Sequence, residues 1–165
     1  MKKFLIIILL LFPITINANT LYWEEPYQDY NIIGTTMIIK NVKIWYVDEI
    51  KGNKNACGQA SGGGNVAYLI QLSVSDECLK NIDEYFVHEL LHIYDTQNKI
   101  TEKTRIFGEL PALGEITEIR EKFAYWGSYY FTRPTWLILN YRNEYKILNN
   151  YFEKYKIDDL NNYQY

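Results

Sequence analysis

Both histidines of this 165-residue chain lie in one short segment, DEYFVHELLHIYD, which covers residues 83–95. His88 and His92 are four residues apart, and residues at this spacing are stacked neighbours on one face of a helix. Two neutral imidazoles placed in this way supply half of the ligands of a tetrahedral zinc site. Glu89 lies at the edge of the same face, where it would serve as a base rather than as a ligand. The segment therefore matches the HExxH pattern, whose chemistry is zinc-assisted hydrolysis.

A zinc site of this kind needs a third protein ligand, and the chain has no further histidine to supply it. The downstream segment GELPALGEITEIREKF offers Glu109, Glu115 and Glu118. If residues 109–131 form one helix, Glu109 falls in the middle of its apolar stripe, Glu115 lies to the side and Glu118 points nearly opposite. A carboxylate on a buried face is costly unless it is paired, and zinc would pair it. We therefore predict Glu109 as the third ligand, with Glu115 as the alternative.

The rest of the sequence predicts the elements that hold these residues. Residues 35–47 and 66–74 are rich in β-branched and aromatic residues, which is typical of strands. A capping pattern at residues 81–84 precedes the histidine helix, and further helices are expected over 109–131 and 134–156. Strands followed by helices predict an α+β fold. We expect a small mixed or antiparallel sheet packed against the histidine helix, with two long helices after it.

With these motifs the chain resembles the gluzincin branch of the zincin metallopeptidases. The resemblance covers roughly residues 62–130 and depends on HELLH and ELPALGE. In the second motif Glu109 is followed three residues later by Ala112 and a turn further on by Glu115, as in the glutamate helix of that family. The chain looks like a minimal, single-domain zincin.

The resemblance implies both a cofactor and a reaction. His88, His92 and Glu109 would bind one Zn²⁺. Glu89 would be the general base that takes a proton from the water molecule that attacks the peptide bond. The substrate would be a peptide or a protein. An oxyanion donor is also expected, and because no histidine is left it should be a tyrosine. Four are available: Tyr125, Tyr129, Tyr130 and Tyr141.

The resemblance also implies where the substrate binds. In zincins the strand directly before the active-site helix lies at the sheet edge and pairs with an extended peptide. Residues 65–70 hold that position here. The predicted substrate-binding residues are Asn65, Val66, Ala67 and Tyr68.

The first residues, MKKFLIIILLLFPITINAN, predict a secretory signal peptide over residues 1–18. Two lysines precede an apolar run at residues 4–12, which is well short of the ~20 residues that span a bilayer. Cleavage is expected near Ala18, which leaves residues 19–165 as a single periplasmic or secreted domain. Contact with a membrane is expected only through an uncleaved signal peptide.

Export would place Cys57 and Cys78, the two cysteines of the chain, in a compartment where disulfides persist. We predict that they pair, and closing a loop of this length stabilises a fold by about 3 kcal/mol. A role as nucleophile or metal ligand fits less well, because neither cysteine has a histidine nearby in sequence.

The composition of the chain argues against nucleic-acid binding and leaves other functions open. The formal net charge is −3, so nothing favours binding to a nucleic-acid backbone. Two alternatives to a peptidase stay open: a non-catalytic, zinc-containing binding or inhibitory module of the cell envelope, and an aromatic-rich envelope protein whose histidines bind nothing. Glu89 favours the hydrolase, because a binding module has no use for a base beside the metal.

Overall fold

The structure, a computed structural model, describes residues 21–32, 34–63, 66–114 and 116–156. The predicted signal peptide lies outside these residues. Within them, four strands form one mixed sheet in the spatial order β1-β2-β4-β3. The strand bounds are Leu21–Asn31 (β1), Ile38–Val47 (β2), Gly58–Gly63 (β3) and Val66–Ser73 (β4).

Two of the four strands, β1 and β3, were not predicted from sequence. β2 and β4 are the strands expected from sequence, and they run parallel to each other in the middle of the sheet. β1 pairs antiparallel with β2, and β3 pairs antiparallel with β4. β3 has the sequence GQASGG, whose small residues have little strand preference. It is a strand because β4 supplies the hydrogen-bond partners for its backbone.

One face of the sheet packs on the histidine helix. Ile44 of β2 lies opposite Ile70 of β4 in register, and both side chains are almost fully buried. They share a core with Leu90 and Leu91. Burying each such aliphatic side chain contributes roughly 1.5–3 kcal/mol. The sheet therefore fixes the apolar side of this helix and leaves its opposite side to other contacts.

The helices confirm an α+β fold, although two of the expected boundaries were wrong. Their bounds are Asp76–Leu79 (α1), Ile82–Asn98 (α2), Ile100–Lys103 (α3), Ile106–Glu109 (α4), Ile119–Thr132 (α5), Pro134–Asn140 (α6) and Arg142–Phe152 (α7). The helix predicted over 109–131 begins at Ile119 instead. Pro111 lacks a backbone donor and Gly114 has φ +63°, so the preceding segment does not continue a helix.

The other expected helix, over residues 134–156, is divided by Tyr141, whose backbone is not helical (φ −142°, ψ 56°). Its ring packs against Trp126 and Trp136, with ring centroids 5.3 Å away in both cases. The capping pattern before α2 is not formed either. Asn81 makes no side-chain cap, because its oxygen accepts a hydrogen bond from Arg133, which also pairs with Glu84.

The predicted disulfide is confirmed: Cys57 and Cys78 are bonded, with their Cα atoms 5.3 Å apart. It joins the residue before β3 to the short helix α1, just ahead of α2. Among the helices of the described ranges, none combines the length and the apolar character needed to cross a membrane.

Candidate metal centre

The two histidines project from α2 into a cleft with a volume of about 880 Å³. α2 forms its floor, β3 one side and α5 the other. His88 is 9% exposed and Glu89 is 7% exposed, so both polar side chains are buried within the fold. The neighbouring Leu90 and Leu91 point into the core instead. Opposite sides of one helix thus serve the core and the cleft, as the helical spacing predicts.

Three side chains that could hold a metal ion meet in this cleft: His88, His92 and Glu121. The Nε2 atoms of His88 and His92 are 3.0 Å apart. A carboxylate oxygen of Glu121 lies 3.3 Å from His92 Nε2, and the other lies 3.6 Å from His88 Nε2. Ligands bound at 2.0–2.1 Å in a tetrahedron are ~3.3–3.4 Å from one another. Two imidazoles and one carboxylate in this arrangement are a donor set that could hold a metal ion.

The structure brings Glu121, and not Glu109, to the histidine pair. Glu109 is the last residue of α4 and is exposed. Glu115, the alternative ligand, lies outside the described residues, and Glu118 is an exposed residue lining the cleft. The expectation for Glu109 depended on one continuous helix from residue 109. Because α5 begins ten residues later, a different set of side chains faces the histidines.

The sequence does contain a pattern that places Glu121 on the same helix face as Tyr125. Pro111 and Gly114 argue against a helix before residue 115. A helix that begins after them places Glu121 and Tyr125 four residues apart on one face. That face is the one that α5 turns toward α2 in the structure, since both residues line the cleft.

The electrostatics of the group keep a histidine available as a ligand. Burial lowers the pKa of His92 to about 4, and the nearby His88 adds to this effect. His92 is therefore neutral at neutral pH. A hydrogen bond with His88, together with the proximity of His92, lowers the pKa of Glu121 despite its partial burial. The group thus presents a neutral imidazole and an ionised carboxylate, which are the forms that bind zinc.

Glu89 is held against the edge of the sheet. A Cβ atom built on Gly58 would lie 2.9 Å from Glu89 Oε1 and 3.0 Å from its Cγ. Burial raises the pKa of Glu89, while His88 and a hydrogen bond from the backbone of Ala60 partly offset that rise. Only glycine at position 58 lets the carboxylate lie this close to β3.

Replacing Gly58 by alanine should therefore displace Glu89 without touching the metal ligands. The added methyl group must push the carboxylate away, because the contact is with the body of the side chain as well as its end. If the chain hydrolyses peptides, as the resemblance of HELLH implies, kcat should fall roughly 10²-fold, since a misplacement of about 1 Å costs on that order. Zinc affinity should stay unchanged. Steady-state kinetics and zinc titration measure the two effects, and equal losses in both would contradict this role for Gly58.

Among the four predicted tyrosines, Tyr125 is the one that lines the cleft. Its ring packs edge-on against His88 with centroids 4.3 Å apart. Tyr130 is buried and donates a hydrogen bond to Asn149. Tyr129 and Tyr141 both pack against Trp136. Tyr125 is therefore the one of the four that lies beside the histidine pair.

The predicted substrate strand is not at the sheet edge. β4 is paired with β2 on one side and with β3 on the other, so its backbone is already occupied. Ala67 and Tyr68 lie in this central strand, and so does the backbone of Val66. Asn65 lies outside the described residues. The two edge strands of the described sheet are β1 and β3, and β3 is the one that lines the cleft.

Comparisons of the chain with family models, with curated proteins and with solved structures found no match. The resemblance to zincins therefore depends on the HELLH segment, because Glu109 of ELPALGE does not line the cleft.

Proposed function

We propose that this chain is a zinc-dependent metallopeptidase of the zincin type, with His88, His92 and Glu121 as the metal ligands. One observation carries the proposal. One donor atom from each of His88, His92 and Glu121 lies within 4.8 Å of the others, and the buried Glu89 lines the same cleft. This combination of three ligands and a base is the minimal equipment for hydrolysing a peptide bond.

The roles of the residues follow from their positions. His88, His92 and Glu121 would hold Zn²⁺, which would supply a Lewis acid for the substrate carbonyl and for a water molecule. Glu89 accepts a proton from the attacking water and later delivers it to the amine that leaves as the C–N bond breaks. Tyr125 donates a hydrogen bond to the oxygen on which negative charge develops.

The edge strand β3 is the surface on which we propose that the substrate lies. An extended peptide would continue the sheet by pairing with its backbone. Gly58, Ala60 and Gly62 carry little or no side chain and leave room for the peptide above α2. The substrate would be a peptide or protein rather than a nucleic acid.

We also propose that the protein acts outside the cytoplasm, in the periplasm or after secretion. The Cys57–Cys78 disulfide is a bond that persists in oxidising compartments. The signal peptide predicted from sequence gives the route.

A peptide-library assay tests the proposal. The full chain loaded with Zn²⁺ is expected to cleave peptides, to lose this activity with a chelator and to regain it when Zn²⁺ is restored. Zinc content is measured on the same samples. Stoichiometric zinc without cleavage of any library member would favour the non-catalytic binding module, and absence of zinc would contradict the metal site itself.

A further inference from the structure

The carboxylate of Asp95 is buried one turn after His92, on the same helix. Asp95 is 3% exposed and accepts three hydrogen bonds. Two come from Thr101, through its backbone N–H at 2.7 Å and its hydroxyl at 2.9 Å, and the third comes from Arg120 Nε at 3.0 Å. A buried carboxylate needs such partners, so Asp95 is fixed in position by both α3 and α5.

Arg120 directly precedes Glu121 in the first turn of α5. Besides its bond to Asp95, its Nη2 donates to the hydroxyl of Thr96 at 2.8 Å. The Arg120 guanidinium therefore donates hydrogen bonds to two consecutive residues near the end of α2, Asp95 and Thr96. The first turn of α5 has no side-chain cap of its own, because Glu118 at the N-cap position makes no such bond.

The ion pair and the candidate ligand join the same two helices side by side. His92 and Asp95 lie on α2, three residues apart, and face Glu121 and Arg120, which are adjacent on α5. The Glu121 side chain is 39% exposed, so its own packing restrains it only in part. A helix held in place by Arg120 limits how far the Glu121 carboxylate moves from the histidines.

We infer that Asp95 and Arg120 are positioning residues that hold Glu121 in register with His88 and His92 before a metal binds. This inference rests on the metal site of the proposed function. Preorganising a ligand reduces the ordering cost of binding, and outer-shell partners of metal sites act in this way. Neither residue reaches the metal, since both act through the position of α5.

Zinc titrations of the full chain test the inference. Arg120→Ala and Asp95→Asn are expected to weaken Zn²⁺ binding about 10- to 100-fold. Arg120→Lys should recover part of the loss, because lysine keeps the charge but not the two-pronged contact. Lys122→Ala is the matched control: its Nζ donates to the Leu110 carbonyl at 2.7 Å and it makes no hydrogen bond to α2. Dissociation constants come from competition with a chelating indicator, and Tm is measured without metal.

A double-mutant cycle separates positioning from general stability. In a Glu121→Gln background, Arg120→Ala should cost little further affinity, because the group that Arg120 positions is already gone. An equal loss in both backgrounds, or a lower Tm with wild-type zinc affinity, would overturn the inference. If Arg120→Ala does not fold, Asp95→Asn and Arg120→Lys carry the same cycle. Wild-type protein that binds no zinc would overturn the metal site and this inference together, whereas tight binding by every variant would overturn this inference alone.

Discussion

Replacing Glu89 by glutamine is expected to lower kcat for peptide cleavage by about 10²- to 10⁴-fold, the usual contribution of a general base. Glutamine keeps the shape that packs against Gly58 but does not accept the proton of the attacking water. Glu89 is 7% exposed, so water from bulk solvent has little access to the site and does not take over the role of the base. Zinc affinity should be retained because Glu89 is not in the ligand group. Initial rates and zinc content of the same preparation give both values.

Glu102→Gln is a suitable control for this experiment. Its side chain is 70% exposed on α3 and does not line the cleft, so kcat should be unchanged. Cleavage by the Glu89 variant at the wild-type rate would rule out Glu89 as the base. Chelator-sensitive cleavage would then require another group to accept the proton.

The second large effect is expected at Glu121, the proposed third ligand. Glu121→Ala should weaken zinc binding by more than roughly 100-fold, since losing a ligand costs more than the about 10- to 100-fold loss of an outer-shell partner. Glu109→Ala is its matched control and should leave affinity unchanged, because Glu109 is exposed and outside the ligand group. Competition titration against a chelating indicator measures both.

These two variants also decide between the ligand indicated by sequence and the one indicated by structure. Weak binding by Glu109→Ala with tight binding by Glu121→Ala would restore the original prediction and show that α4 reaches the site when metal is present. Equal loss in both would indicate that each contributes.

The parts of the fold that were predictable from sequence are those with strong local patterns. The α2 helix follows from apolar residues at helical spacing, and β2 and β4 follow from their β-branched and aromatic residues. HELLH alone predicts that His88, Glu89 and His92 lie together on one helix, as they do in the cleft, because neighbours on one helix need no tertiary information. The disulfide was predictable for a different reason. The chain has two cysteines, and its predicted signal peptide directs them to an oxidising compartment.

The parts that were missed depend on contacts between distant segments. β3 has no strand pattern of its own and forms by pairing with β4, which also moves the sheet edge away from the predicted substrate strand. The nearness of Glu121 to the histidines was not predicted, because the acidic residues considered, Glu109, Glu115 and Glu118, all precede α5. Pro111 and Gly114 mark this boundary only weakly, because proline is tolerated in the first turn of a helix and a single glycine does not end one.

The bond between Cys57 and Cys78 has a consequence for timing. The bond fixes the position of Cys57, which is next to Gly58. The Glu89 carboxylate packs against Gly58 at the edge of the sheet. A newly made chain with free thiols lacks that restraint. On the proposed function, the enzyme would reach its working geometry only after it leaves the reducing interior, which spares the proteins of the cell that makes it.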